Sequence, residues 1–410
     1  MAIHKKIVTI KNIASNTIQA HSARRYDLDW LRVIAFVILI FFHVGMFFNS
    51  WGWHIKNNEI SHVIELPMRF TSMWRMALLF MISGAGVYFA LENRSPKSFL
   101  SERFIRIFIP LLFGMFVIVP PQIFFERLTQ GEAYSYGAFY KTVFQFHAYP
   151  HGNFSWHHLW YLVDIFFYSL LSLPLFLFIK KRPQMTANWA RFFSNPFVLI
   201  FVPVIWHFIG EEFLSDKFPN TNNLIHDWNN HFHSLTLFIC GFILCTQTAF
   251  WETIVKYRKL TLSIWIVITI ILYSAYWLSD REVAAWEPVF YSIIKTTNAW
   301  CILLSFLGYA YVYLQFTNRF LKYANEAVYP FYILHQTVIV CLAYPIIHSA
   351  LPIGVKFGYL SIATFLICLV LYHFMIRRFN ILRFLFGLKP IKTKAEKVTQ
   401  ELEIPISLKS

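Results

Sequence analysis

Charge is what this 410-residue sequence has least of: 36 Lys and Arg with 21 Asp and Glu make 14% of the chain, against 57% hydrophobic residues. A water-soluble domain carries about 25% charged residues, so the composition points to an integral membrane protein. Cysteine is scarce too. Cys240, Cys245, Cys301, Cys341 and Cys368 fall inside apolar segments without a C-x-x-C spacing, which argues against a disulfide framework and a thiolate metal site. No H-E-x-x-H occurs, and His147, His151, His157 and His158 match no zinc pattern, so no metal is expected. The first 29 residues lack an apolar h-region, and "FFNSWGW" lacks a small-residue cleavage pattern, so the first helix is read as an uncleaved anchor. Internal repeats, low-complexity linkers and extramembrane stretches long enough to fold alone are missing as well.

What the sequence does have is long apolar runs. Stretches near the ~20 residues needed to cross a hydrocarbon core lie at 30–50, 72–91, 103–125, 158–179, 195–213, 232–250, 260–278, 289–314, 329–350 and 357–376. They predict an all-α, polytopic transmembrane bundle of about ten helices. Residues 1–29 form a cytoplasmic N-terminal segment in this reading, 30–376 the membrane domain, and 377–410 a basic cytoplasmic tail. With loops assigned to alternate sides, 26 Lys and Arg fall on the side of the termini and 7 on the other. That asymmetry puts both termini in the cytoplasm. The net charge of +15 is thus topological, and no nucleic-acid partner is expected.

Several polar residues lie where lipid is expected. Arg32 and His43 are eleven residues apart, three helical turns plus about 20°, so they share one face with an axial separation of ~16 Å. Ionisable groups at that depth are expected to face a bundle interior or a water-filled cavity. Asp29 precedes Arg32 by three residues and can pair with it, while a neutral His43 suits proton abstraction. Arg75 sits near the outer end of the second helix, and "FMISG" adds Ser83 and Gly84, which allow close helix approach or supply a hydroxyl. "SERFIRIFIP" opens the third helix with Arg103 and Arg106 on one face. They read either as ordinary positive-inside charge or as a fork for phosphate. "WHHLWYLVDIFFY" places His157, His158 and Trp160 at the mouth of the fourth helix, with Asp164 and Tyr168 deeper. Lys295 and Asn298 lie in the eighth, and His335 of "YPFYILHQ" lies toward the cytoplasmic side of the ninth. The loops at 51–71, 126–157 and 211–231 are rich in Trp, Tyr, Asn and His, the chemistry of either a sugar-stacking surface or an interfacial aromatic belt.

A buried line of Arg, His, Asp and Lys fits an enzyme or a proton-coupled transporter or flippase for a polar metabolite. The transporter's usual sign is a matching pair of interrupted helices in two halves. Here Pro110, Pro120 and Pro121 interrupt the third helix without a counterpart.

The motif set R-x10-H (Arg32 to His43), R-x-x-R (Arg103, Arg106), "FMISG", "HLWYL" and "YILHQ" resembles that of the membrane acyltransferase family 3 proteins, over about residues 24–390. "RRYDLDWLR", "WRMALLFMISG", "HHLWYL" and "FLFGLKP" are similar to the branch that includes the succinyltransferase of periplasmic osmoregulated glucans. The resemblance implies a multi-pass acyltransferase of the bacterial inner membrane. It would move an acyl group from cytoplasmic acyl-CoA, acetyl-CoA or succinyl-CoA, to a hydroxyl of an extracytoplasmic glycan. It also implies that His43 is the essential histidine, Arg32 its partner, and Arg103 with Arg106 the second arginine motif. The combined reading adds Asp29 beside Arg32, Arg75 or Ser83 at the developing oxyanion, His335 with the donor-binding arginines, and His158, Trp160, Asp164 and Tyr168 on the acceptor. Many relatives carry Glu where this chain has Asp164.

Overall fold

The computed structural model describes residues 24–279, 284 and 286–391. Residues 1–23 and 392–410, which hold most of the expected N-terminal segment and basic tail, lie outside the described residues, as does Arg281. The bundle is built from α1 (Tyr26–Met46), α2 (His62–Glu92), α3 (Pro96–Thr129), α4 (His157–Leu171 and Leu173–Lys180), α5 (Pro196–Leu214), α6 (Trp228–Leu244), α7 (Thr248–Trp277), α8 (Glu287–Tyr313), α9 (Arg319–Ile346) and α10 (Ile353–Ile376). Among the described residues there is no strand.

Eight of these helices are long and apolar enough to span a membrane, and the bent α4 makes a ninth. The sixth expected span is the one that falls short of a full crossing. It begins at 228 rather than 232, ends at 244, and with 17 residues is shorter than the others. Its first turns carry Asn229, Asn230, His231 and His233, so a hydropathy reading starts late, yet their hydrogen bonds to α4 and α5 make them helical. The 50° bend in α4 falls at Pro174, which has no N–H to continue the ladder. In α3, π-turns at Phe104–Phe108 and Gly114–Ile118 alternate with Pro110 and Pro120.

α1 lies at the centre, packed on α2, α8, α9 and α10. Its Ala35, Leu39 and Val44 are buried, whereas Ile34, Val37 and Phe41 are exposed, as expected of a helix with one flank in lipid. α2 and α6 approach through paired glycines. A Cβ on Gly84 would stand 1.8 Å from the Phe238 carbonyl oxygen, and one on Gly241 1.9 Å from that of Met81. Both neighbours are backbone, so the helices must separate to admit a side chain. Gly84→Val is expected to destabilise the bundle by about 3 kcal/mol, read as a lowered unfolding temperature in detergent. An unchanged midpoint would contradict this contact.

Candidate active site

α1 and α9 run in parallel and bring two pairs of polar residues together along their length. At one level Arg32 donates to Asn325 Oδ1; about three turns on, His43 Nδ1 lies 2.8 Å from His335 Nε2. The second pair has a definite proton arrangement. His335 Nδ1 faces the carbonyl oxygens of Tyr332 at 2.7 Å and Phe331 at 3.2 Å, so it carries hydrogen and donates. In the neutral ring Nε2 is then an acceptor, and the hydrogen between the rings belongs to His43 Nδ1. His43 Nε2 is left as a lone pair, on a side chain that is only partly buried. A basic nitrogen is thus presented by a ring whose orientation is fixed from behind.

His158 completes this centre. Its ring lies 5.3 Å from that of His335, with Nε2 donating to the Ile333 carbonyl at 3.0 Å and Gln122 Nε2 donating to Nδ1 at 3.3 Å. Gln122 also donates to Thr337 Oγ1 at 2.6 Å and accepts from Gln336 at 3.0 Å. Arg75 supplies the charge. Its guanidinium carbon lies 3.8 Å from the centroid of the Phe42 ring, and it stands within electrostatic reach of His43 and His335. Arg75 is 5% exposed, yet two of its nitrogens are buried without a hydrogen-bond partner. Buried donors are nearly always satisfied, so these are available to a ligand oxygen.

A second, basic layer lies toward the start of α1. Asp29 accepts from Arg32 at 2.5 Å and from Arg24 at 2.7 Å. Arg24, Arg25, Asp29 and Arg32 line a 330 Å³ polar cavity with Glu92 and Asn93 of the α2 end. Arg32 and Arg103 approach Tyr161 from different helices. Arg103 Nε is buried without a partner, whereas Arg106 is tied to Glu102 at 3.3 Å, which also holds Arg94 at 2.6 Å. The expected Arg103–Arg106 fork is therefore divided: one arginine turns inward, the other is neutralised beside it. A separate 250 Å³ apolar groove, walled by α1, α9 and α10, runs from Phe320 and Tyr323 to His335, with exposed Val37, Phe320, Leu366 and Leu369 on its rim.

Residues 25–373 match the acyltransferase domain of acyltransferase family 3. The chain belongs to this family. It is 24% identical over 380 residues to the glucans biosynthesis protein C of Salmonella paratyphi B and to that of Salmonella dublin, covering 90% of this chain and 95% of each relative. It is likewise 24% identical over 389 residues to that of Salmonella typhimurium, with 92% and 98% covered. No solved structure matches. The protein is accordingly a multi-pass membrane acyltransferase.

Some expected positions in this acyltransferase shift. His335, expected toward the cytoplasmic side with the donor-binding arginines, stands at the depth of His43. The reason is that α9 begins at Arg319, ten residues before the apolar run, which moves His335 about 15 Å further along. Ser83 lies 2.6 Å from Tyr161 Oη and eight residues past Arg75, about 12 Å along α2, so it belongs to the basic layer rather than to the histidines. The four residues expected on the acceptor divide between two faces of α4. His158 faces α9, whereas Asp164 lies 3.4 Å from Asn230 Nδ2 and 3.9 Å from His231 Nδ1 of α6, and Tyr168 Oη is 2.8 Å from the same His231 nitrogen. Six residues turn a helix by about 240°, which separates them. Trp160 packs on Phe80 with ring centroids 6.0 Å apart. Lys295 pairs with Glu211 of α5 at 2.6 Å, and Asn298 donates to Trp265 O and Thr269 of α7; both tie helices together. Sequence reading missed Gln122, Thr337, Asn325 and Arg24. Of these, only Gln122, a lone amide in the apolar run after Pro120 and Pro121, carried a visible signal.

Proposed function

We propose that this acyltransferase moves an acetyl or succinyl group from acyl-CoA, bound from the cytoplasm, to a hydroxyl of an extracytoplasmic glycan. The observation that carries the reading is the oriented lone pair of His43 Nε2 within electrostatic reach of the unsatisfied guanidinium of Arg75. The relatives' name, glucans biosynthesis protein C, supports a glycan acceptor, and the basic layer supports a donor with an anionic head. In this mechanism the phosphates lie near Arg32 and Arg103, with Asp29 steadying Arg32, and the thioester arm reaches the histidines. His43 Nε2 accepts the proton of the acceptor hydroxyl as that oxygen attacks the thioester carbonyl. Arg75 donates to the oxyanion; the C–S bond then breaks, and the imidazolium returns its proton to the CoA thiolate. The products are an ester and free CoA. His158, packed against His335, is the α4 residue assigned to the acceptor side.

The test is CoA release by the protein in lipid nanodiscs supplied with acetyl-CoA or succinyl-CoA, with and without periplasmic glycan. Release that requires glycan is expected from one donor; release from neither across a broad acceptor panel would refute the reading. Arg103→Ala is expected to raise the donor KM by about 10-fold, since a charge-assisted phosphate contact is worth about 1.5 kcal/mol. A rise confined to the glycan KM would move Arg103 to the acceptor side.

A further inference from the structure

Where α1 ends, three ligating side chains meet outside the transfer centre. His54 comes from the α1–α2 loop, Glu126 from the last turns of α3 and His157 from the first turn of α4, and their Nδ1, carboxylate and Nε2 atoms lie within 4.8 Å of one another. His54 Nδ1 is 2.9 Å from Glu126 Oε2, and His157 Nε2 is 4.0 Å from the same oxygen. The two imidazoles stack with centroids 4.2 Å apart and planes at 9°, so one ring must turn out of the stack for both in-plane lone pairs to meet a single ion.

The His157 nitrogen is the telling atom. The side chain is 2% exposed, and Nε2 is buried without a hydrogen-bond partner. Its other nitrogen is engaged by Ser155 Oγ at 2.7 Å, and that oxygen also accepts the His157 backbone N–H at 3.0 Å. The Ser155 hydroxyl can donate to Nδ1 or accept from it; when Nδ1 carries the hydrogen, Nε2 is a lone pair facing a carboxylate oxygen 4.0 Å away. A shared hydrogen does not bridge 4.0 Å. A zinc-class ion, with ligands at about 2.0–2.2 Å, holds tetrahedral neighbours about 3.4 Å apart, between the 2.9 and 4.0 Å observed. The carboxylate is also braced as a metal ligand is: Tyr149 Oη donates to Glu126 Oε1 at 2.7 Å, an outer contact of the kind that orients ligands. The neighbouring cation points elsewhere, since Arg127 donates to the Pro150 and Gly152 carbonyls and to Asn153.

We propose that His54, Glu126 and His157 bind one divalent transition cation, with zinc the best match to two imidazoles and one carboxylate. The ion staples the α1–α2 loop, α3 and the start of α4 together, one residue from His158 of the transfer centre. The ligands are 72 and 31 positions apart in the chain, which is why no motif announced them.

The test uses the full-length protein in nanodiscs, stripped with chelator and titrated with Co(II), then Zn(II). One equivalent of Co(II) is expected to bind with the visible absorption of a four- or five-coordinate site and to be displaced by Zn(II). Glu126→Gln and His157→Gln are expected to weaken binding on the order of 100-fold, whereas His147→Gln leaves it unchanged. Absence of that absorption in the stripped wild type overturns the proposal without recourse to any variant, and so does equal metal retention by wild type and His157→Gln. Neither readout involves acyl transfer, so failure here leaves the proposed reaction standing, and failure of that reaction leaves this site standing.

Discussion

His43→Gln is expected to reduce glycan-dependent CoA release by about 10³- to 10⁴-fold, the upper part of the range for a general base. Glutamine can still donate an N–H toward His335 Nε2, so the 2.8 Å contact and the packing of α1 on α9 have a replacement. It has no basic nitrogen to take the acceptor proton. The variant should therefore insert, elute as a single species and unfold near the wild-type temperature while turning over almost nothing. Wild-type turnover in the folded variant would remove His43 from the chemistry. Acid-quenched mass spectrometry of the wild type, with donor present and acceptor withheld, separates two routes. An acyl adduct on His43 indicates that the ring carries the group covalently, and an unmodified chain indicates that it acts as a base.

Arg75→Gln is expected to lower kcat by about 10²- to 10³-fold with little change in either KM, because a donor aimed at developing charge acts mainly in the transition state. The guanidinium is suited to this role by its surroundings. It stacks 3.8 Å from Phe42 and keeps two buried nitrogens free of partners, so it is already desolvated before substrate arrives. Its field in that setting is far stronger than at a wet surface. Arg75→Lys should restore only part of the rate, since a point charge on a flexible stem cannot reproduce the planar fork. The kinetic split decides the role: a rise in donor KM at constant kcat would reassign Arg75 to binding.

The two replacements probe different halves of one arrangement. In α1, the spacing between Arg32 and His43 places them on one stripe, and the structure realises that stripe as the face turned to α9, where Asn325 and His335 answer them in the same register. The polar residues of α4 behave differently. Asp164 and Tyr168 belong with Asn230 and His231 of α6, whereas His158 belongs with His335. An apolar helix carries no sequence mark of which flank meets which neighbour, because lipid and buried protein favour the same side chains.

The division between what sequence and tertiary structure contribute follows from that physics. Local composition determines that this chain crosses a membrane repeatedly as helices, because every backbone group must be satisfied within its own segment in hydrocarbon. The stripe that holds Arg32 and His43 was equally legible, since ionisable groups at such depth are rare and costly. Only the tertiary structure decided that His335 backs His43, that Arg103 and Arg106 part company, and that His54, Glu126 and His157 converge. Each of those depends on where a helix starts, how far it rotates and which partner it meets, and these are set by close packing between separate segments rather than by any segment's own composition.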